Sequence, residues 1–114
     1  MPKAIILDQT GGPEVLKLKD IQVNQPGDDE IKVTNVAIGL NYIDTYHRSG
    51  LYPVPLPSGL GLEGAGKITE IGSNVKDLSV GDNVAYAAPP LGSYAEERII
   101  PAKVAVKIPE GISN

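Results

Sequence analysis

Cysteine, phenylalanine and tryptophan are absent from the 114 residues, and histidine occurs once, as His47. Without cysteine there is no disulfide, no thiolate metal ligand and no cysteine nucleophile, and a single histidine excludes a site built on two, so zinc chemistry is disfavoured. Five tyrosines are the only aromatics, which leaves the core to Ile, Val, Leu and Ala. Ten Lys and Arg stand against fourteen Asp and Glu, a formal net charge of -4. No basic cluster interrupts that balance, so nucleic acid is a poor partner. Long apolar runs are missing as well. Ala4-Ile5-Ile6-Leu7 meets Asp8 after four residues, too short for a signal core or a membrane span. A soluble, cytoplasmic protein is the expectation.

The length suits one compact domain. At 41% hydrophobic and 21% charged, the chain can bury a core, which excludes wholesale disorder. Thirteen Gly and ten Pro are spread along it and punctuate short segments, a pattern unlike a helical bundle. Lys3 to Leu7 reads as an opening strand, and Gly11-Gly12-Pro13 separates it from a second at Val15 to Lys19, giving a hairpin. Pro26-Gly27-Asp28-Asp29 is turn chemistry ahead of a third strand, Glu30 to Ile38. Asn41 is placed to cap a short helix over Tyr42 to Ser49, which Gly50 ends in left-handed geometry. Pro53, Pro55 and Pro57 cannot donate to a ladder and predict an irregular crossing. Strands follow at Lys67 to Ser73, Val80 to Tyr86, Ser93 to Ile100 and Lys103 to Ile108. The expected fold is mainly β, a small barrel or sandwich with one or two short helical segments.

Two glycine motifs invite a nucleotide reading. Gly59-Leu60-Gly61-Leu62-Glu63-Gly64 spells the dinucleotide pattern GxGxxG, yet it follows three prolines and opens a β segment, where a true fingerprint opens a helix. Gly61 to Lys67 nearly spells a P-loop, but Ile68 stands where the metal-holding hydroxyl belongs. Both runs read better as glycines that admit close backbone packing. The most site-like region is Asn41 to Arg48 with Tyr52. A tyrosine hydroxyl can donate to a developing oxyanion, and an amide can orient a ligand without carrying charge. The structural reading of the same residues has Asn41 capping, Asp44 pairing with Arg48 at i,i+4 spacing, and the tyrosines covering an apolar flank. His47 reads as a surface residue and Asp28-Asp29-Glu30 as a solvated corner. No Ser-His-Asp arrangement can be built.

The succession Gly11-Gly12-Pro13-Glu14-Val15-Leu16, Ala37-Ile38-Gly39-Leu40-Asn41-Tyr42-Ile43-Asp44, Arg48-Ser49-Gly50-Leu51-Tyr52-Pro53, Gly64-Ala65-Gly66, Gly81-Asp82-Asn83-Val84 and Gly92-Ser93-Tyr94-Ala95 closely resembles the NADPH-dependent quinone oxidoreductases, in the zinc-free branch of the medium-chain dehydrogenase/reductase superfamily. It extends from about Lys3 to Ile112. The resemblance implies that residues 1–114 are a GroES-like, partly open β-barrel, ordinarily followed by a Rossmann domain that holds most of the cofactor. This chain is then a fragment, expected to be inactive alone because it lacks contacts for the phosphates and adenosine. Its uncovered interdomain face is expected to drive self-association, and the full-length parent is expected to be a homodimer.

Zinc-dependent relatives have a Cys where this chain has Asn41 and a His where it has Leu62, so the resemblance implies no zinc. Carried onto matching positions, Asn41, Tyr42, Ile43, Asp44, Thr45 and Tyr46 line the nicotinamide end of the NADPH site, and Tyr52 borders a quinone or enone substrate. In that reading Tyr46 hydrogen-bonds near the reacting carbonyl, Asn41 fixes cofactor or substrate, and Asp44 with Arg48 holds the turn rigid. Glu63 is assigned to structure, satisfying nearby backbone or a basic partner. The rivals are a non-catalytic GroES-like binding or structural module of crystallin type, and a domain of a related enoyl or alkenal reductase.

Overall fold

The computed structural model describes all residues, 1–114. Along the chain lie β1 (Lys3–Leu7), β2 (Lys17–Asp20), β3 (Glu30–Ile38), α1 (Tyr42–Ser49), β4 (Ser58–Gly59), β5 (Glu63–Ile71), β6 (Asn83–Ala87), β7 (Glu97–Pro101) and β8 (Val106–Lys107). Every pairing is antiparallel. One sheet runs β2-β1-β4 and the other β7-β3-β5-β6-β8, and neither closes into a barrel. The protein is mainly β with a single α-helix, as its punctuation by Gly and Pro predicts.

Alternation on the central strands builds the core. Ile31 and Val33 of β3, Ile68 of β5, Val84 and Tyr86 of β6 and Ile100 of β7 pack together with Leu78. Each fully buried aliphatic side chain of this kind contributes roughly 1.5–3 kcal/mol. Lys32, between Ile31 and Val33, points to the other face of the sheet, where its ammonium lies 3.3 Å from Glu70 and 3.9 Å from Glu97. A smaller cluster of Leu7, Val15 and Leu60 sits under the other sheet, with Leu16 and Tyr94 at its margin.

Residues 93–96 join the two sheets. Ala95 bridges Ala4, Ile5 N–H donates to the Tyr94 carbonyl at 2.8 Å, and Glu96 N–H donates to the Lys3 carbonyl at 2.8 Å. The same segment reaches β3, whose Asn35 N–H donates to the Glu96 carbonyl at 2.9 Å.

Several strand boundaries differ from the sequence expectation for local reasons. Pro13 starts a 3-10 turn over Pro13–Val15, so β2 opens only at Lys17. Val80 to Asp82 belong to a turn that the Asp82 carboxylate closes by accepting Ser79 N–H at 2.9 Å, and β6 begins at Asn83. The expected strand from Ser93 to Ile100 resolves into the sheet-joining segment and β7. A 3-10 turn, Ala102–Val104, takes the first half of the expected last strand. The proline-rich stretch is irregular and ends in the two residues of β4, paired to β1.

Candidate functional site

Helix α1 assembles the site-like residues. Asn41 occupies its N-cap in extended geometry, and Gly50 ends it in the left-handed region at φ 89. The Asp44 carboxylate folds back to accept Asn41 N–H at 3.1 Å, half of a capping box. At the other end the Tyr46 carbonyl accepts both Gly50 N–H and Tyr52 N–H, each at 3.2 Å. That wrapped terminus returns the Tyr52 ring onto Tyr46, edge to face, with centroids 5.3 Å apart at 72°. His47 lies 6.2 Å from the same Tyr52 ring.

The candidate residues divide into two groups. Tyr46 and Tyr52 come together at partly exposed positions, Asn41 stands at the start of the same helix, and the hydroxyls of Tyr46 and Tyr52 make no hydrogen bond within the chain. Tyr42 is the most exposed of the set, at 83%. Ile43 is half-buried. Thr45 spends its hydroxyl on the Tyr42 carbonyl at 2.6 Å. Asp44 is buried at 2% exposure and faces inward, where it accepts the Tyr94 hydroxyl at 2.5 Å.

Three expectations are corrected. Asp44 does not pair with Arg48. Its carboxylate is taken by Tyr94 and Asn41, while Arg48 Nε donates to the Gly11 carbonyl at 3.2 Å and the Arg48 carbonyl accepts Gly11 N–H at 2.9 Å. His47 is half-buried rather than a surface residue, and its Nδ1 is buried without a partner. Glu63 does satisfy neighbouring backbone, but with its carbonyl, which accepts Gly39 N–H at 3.0 Å. Its exposed carboxylate has neither a backbone nor a basic partner and lies against Gly39.

Tyr94 is the residue that sequence reasoning passed over. Burial first, then the hydrogen bond to Asp44 and the charge of Asp44, push its phenol well above the ordinary tyrosine value. The signal for its partner was present in the Asn41/Asp44 spacing, which turns the carboxylate back toward the helix start rather than on toward Arg48.

The glycine runs serve packing. A Cβ at Gly61 would stand 2.2 Å from Ser93 Oγ, and one at Gly64 2.5 Å from the Tyr86 hydroxyl. The run leads into β5 and no helix follows it, so it forms no phosphate cradle. No group of three or more His, Cys, Asp or Glu side chains converges in a metal-holding arrangement. No helix is long and apolar enough to cross a membrane.

Residues 27–110 match the family described as the alcohol dehydrogenase GroES-like domain. A quinone oxidoreductase of Pseudomonas aeruginosa is 54% identical over 98% of this chain and 35% of its own length. A 2-haloacrylate reductase of Burkholderia sp is 38% identical over 98% of this chain and 35% of its own. The crystal structure of Escherichia coli quinone oxidoreductase complexed with NADPH superposes with a TM-score of 0.95 at 48% identity, covering 97% of this chain and 34% of that one. The chain thus spans about a third of the length of the relatives it matches. With the family's model matching most of its length, the chain belongs to the alcohol dehydrogenase GroES-like domain family.

Proposed function

We propose that this chain is the substrate-side domain of a reductase that uses NADPH to reduce quinones, with α1 and Tyr52 as its share of the reaction cleft. The observation carrying this reading is the meeting of Tyr46 and Tyr52 at one partly exposed place, beside the helix that Asn41 opens, with both phenols free of internal partners. Neutral hydrogen-bond donors can polarise a carbonyl oxygen as charge develops on it, and they do so without a permanent charge to desolvate. Two comparisons support it: the P. aeruginosa relative and the E. coli structure are both quinone oxidoreductases, the second in complex with NADPH.

The residues fit one end of the cofactor only. Asn41, Tyr42, Ile43, Thr45 and Tyr46 present the kind of neutral surface that suits a nicotinamide, and Asp44, expected beside them, supports that surface from behind, buried against Tyr94. The phosphates have no cradle here, since Gly61 and Gly64 are committed to packing against Ser93, Tyr94 and Tyr86. Those contacts are assigned to a Rossmann domain outside residues 1–114. When bound, NADPH supplies the hydride. The Asn41 amide orients the reacting partners, the Tyr46 hydroxyl donates to the acceptor carbonyl, and Tyr52 borders the acceptor. Residues 1–114 alone have no quinone reductase activity in this reading.

In the full-length protein, Tyr46→Phe is expected to lower kcat for quinone reduction about 10²-fold, the scale of losing one such donor. Unchanged turnover and substrate affinity would remove Tyr46 from the chemistry. A second reading, reduction of activated alkenes at the same site, is favoured by the likeness to the 2-haloacrylate reductase. Parallel NADPH-oxidation assays with a quinone, an enone and a haloacrylate separate the two, and no turnover or NADPH binding with any acceptor would leave the non-catalytic module.

A further inference from the structure

Asp44 carries a carboxylate into the interior at 2% exposure, on the helix that presents Asn41 and Tyr46. Its Oδ2 accepts the Tyr94 hydroxyl at 2.5 Å and Asn41 N–H at 3.1 Å. Its Oδ1 is buried with no partner. Tyr94 is itself anchored from three directions. Its N–H donates to the Leu60 carbonyl at 2.9 Å and its carbonyl accepts Ile5 N–H at 2.8 Å. Its ring packs over Gly61, where an added Cβ would come within 2.5 Å of Tyr94 Cδ1. A chain of contacts therefore runs from the seam between the sheets, through one phenol, to the first turn of α1.

We propose that Tyr94 is a positioning residue for the reductase site: its hydroxyl fixes Asp44, and Asp44 holds the first turn of α1 in the orientation that presents Asn41 and Tyr46. This rests on the reading of α1 as the cleft wall. The hydroxyl matters more than the ring. Without it a buried carboxylate keeps one backbone donor, and an unsatisfied buried charge is expensive. The cheapest relief is for the first helical turn to move toward water, which carries Asn41 and Tyr46 with it. A displacement of about 1 Å at a reacting centre is enough to cost on the order of 10²-fold in rate.

Hydrogen exchange on residues 1–114 reads the positioning without any activity. The reporters are Asn41 N–H, held by Asp44 Oδ2, and Asp44 N–H, which donates to the Asn41 carbonyl at 3.0 Å. Tyr94→Phe is expected to speed exchange at these two amides about 10- to 100-fold, the factor for losing a hydrogen bond to a charged group, and to leave β3 and β5 unchanged. Adding Asp44→Asn, which removes the buried charge, is expected to slow both amides again. Exchange unchanged at Asn41 and Asp44, or raised equally over the whole chain, would overturn the proposal.

In the full-length protein the same Tyr94→Phe change is expected to reduce kcat while the NADPH dissociation constant stays at the wild-type value. An unaltered kcat, or a loss matched by the loss of folded protein, would equally overturn it. A wild-type full-length protein that reduces neither quinones nor enones would defeat the reductase reading, and with it Tyr94's role in catalysis, while the exchange data still report whether Tyr94 sets the helix.

Discussion

Gly61 and Gly81 share the same positive φ, 94 at each, and differ sharply in what surrounds them. A Cβ at Gly61 would stand 2.2 Å from Ser93 Oγ and 2.5 and 2.7 Å from two ring atoms of Tyr94, whereas at Gly81 nothing lies within 4 Å. Ser93 is wholly buried and Tyr94 is bonded at both its backbone and its hydroxyl, so neither can swing aside cheaply. Gly81→Ala carries the cost of left-handed backbone alone, roughly 1–2 kcal/mol. Gly61→Ala adds overpacking, roughly 1–3 kcal/mol. Together these make about 2–5 kcal/mol, a large part of the 5–15 kcal/mol that holds an ordinary domain folded. Urea unfolding of both variants measures the difference directly, since the shared backbone cost cancels and the packing cost remains. Equal destabilisation at the two positions, with unchanged m-values, would refute the claim that Gly61 is there to let Ser93 and Tyr94 approach.

Three further outcomes follow from the same geometry. Tyr86, 3% exposed, donates its hydroxyl to Asn35 Oδ1 at 2.7 Å, so Tyr86→Phe should destabilise by about 1–2 kcal/mol through the unpaired amide oxygen; an unchanged melting temperature would contradict this. The Tyr94 phenol is held protonated in the fold by burial and by Asp44. Its contribution is therefore complete below about pH 10, where an unfolded tyrosine begins to ionise, and is lost as pH rises toward the folded value. Stability of the wild type should fall more steeply than that of Tyr94→Phe above about pH 10, and parallel pH profiles in urea unfolding would remove the linkage. Leu18, Val36, Ile38 and Leu40 are 66%, 66%, 45% and 79% exposed, with Leu18, Ile38 and Leu40 lining one open groove. Residues 1–114 should self-associate in sedimentation experiments and Leu40→Glu should weaken that association, whereas a wild type monomeric at every concentration would show that the face stays bare.

What could be read from the sequence followed local chemistry. Glu30 to Ile38 was recognisable because β-branched residues alternate there, and α1 because Asn41 and Gly50 bracket it with cap chemistry that needs no distant partner. Strand ends were harder to place where a turn borrows residues from the apolar run, as Asp82 does when it binds back to Ser79. The candidate site residues were visible as a type, since tyrosines and an amide crowded around one short helix stand out in a chain with five aromatics. Their anchoring was not. Asp44 has a cation four positions on at helical spacing, yet its partner is Tyr94, 50 residues along the chain. Arg48 is drawn to Gly11, 37 residues back. Such choices are decided by which elements the sheets bring together.

In the proposed reading an eight-residue helix has to serve as the cleft wall. A helix this short is marginal by itself. Here it is tied at each end to a different part of the β scaffold: Asp44 to Tyr94 at the sheet seam, and Arg48 by two hydrogen bonds to the Gly11 turn beyond β1. Had Asp44 and Arg48 paired with each other, they would have stiffened the helix along its own axis and left it free to roll on the sheets. Bound apart, they fix its rotation, and the Tyr46 hydroxyl is left without a partner inside the chain. For the proposed reductase site such rotational fixing is what positions a donor, because reaction rate depends steeply on where that donor points.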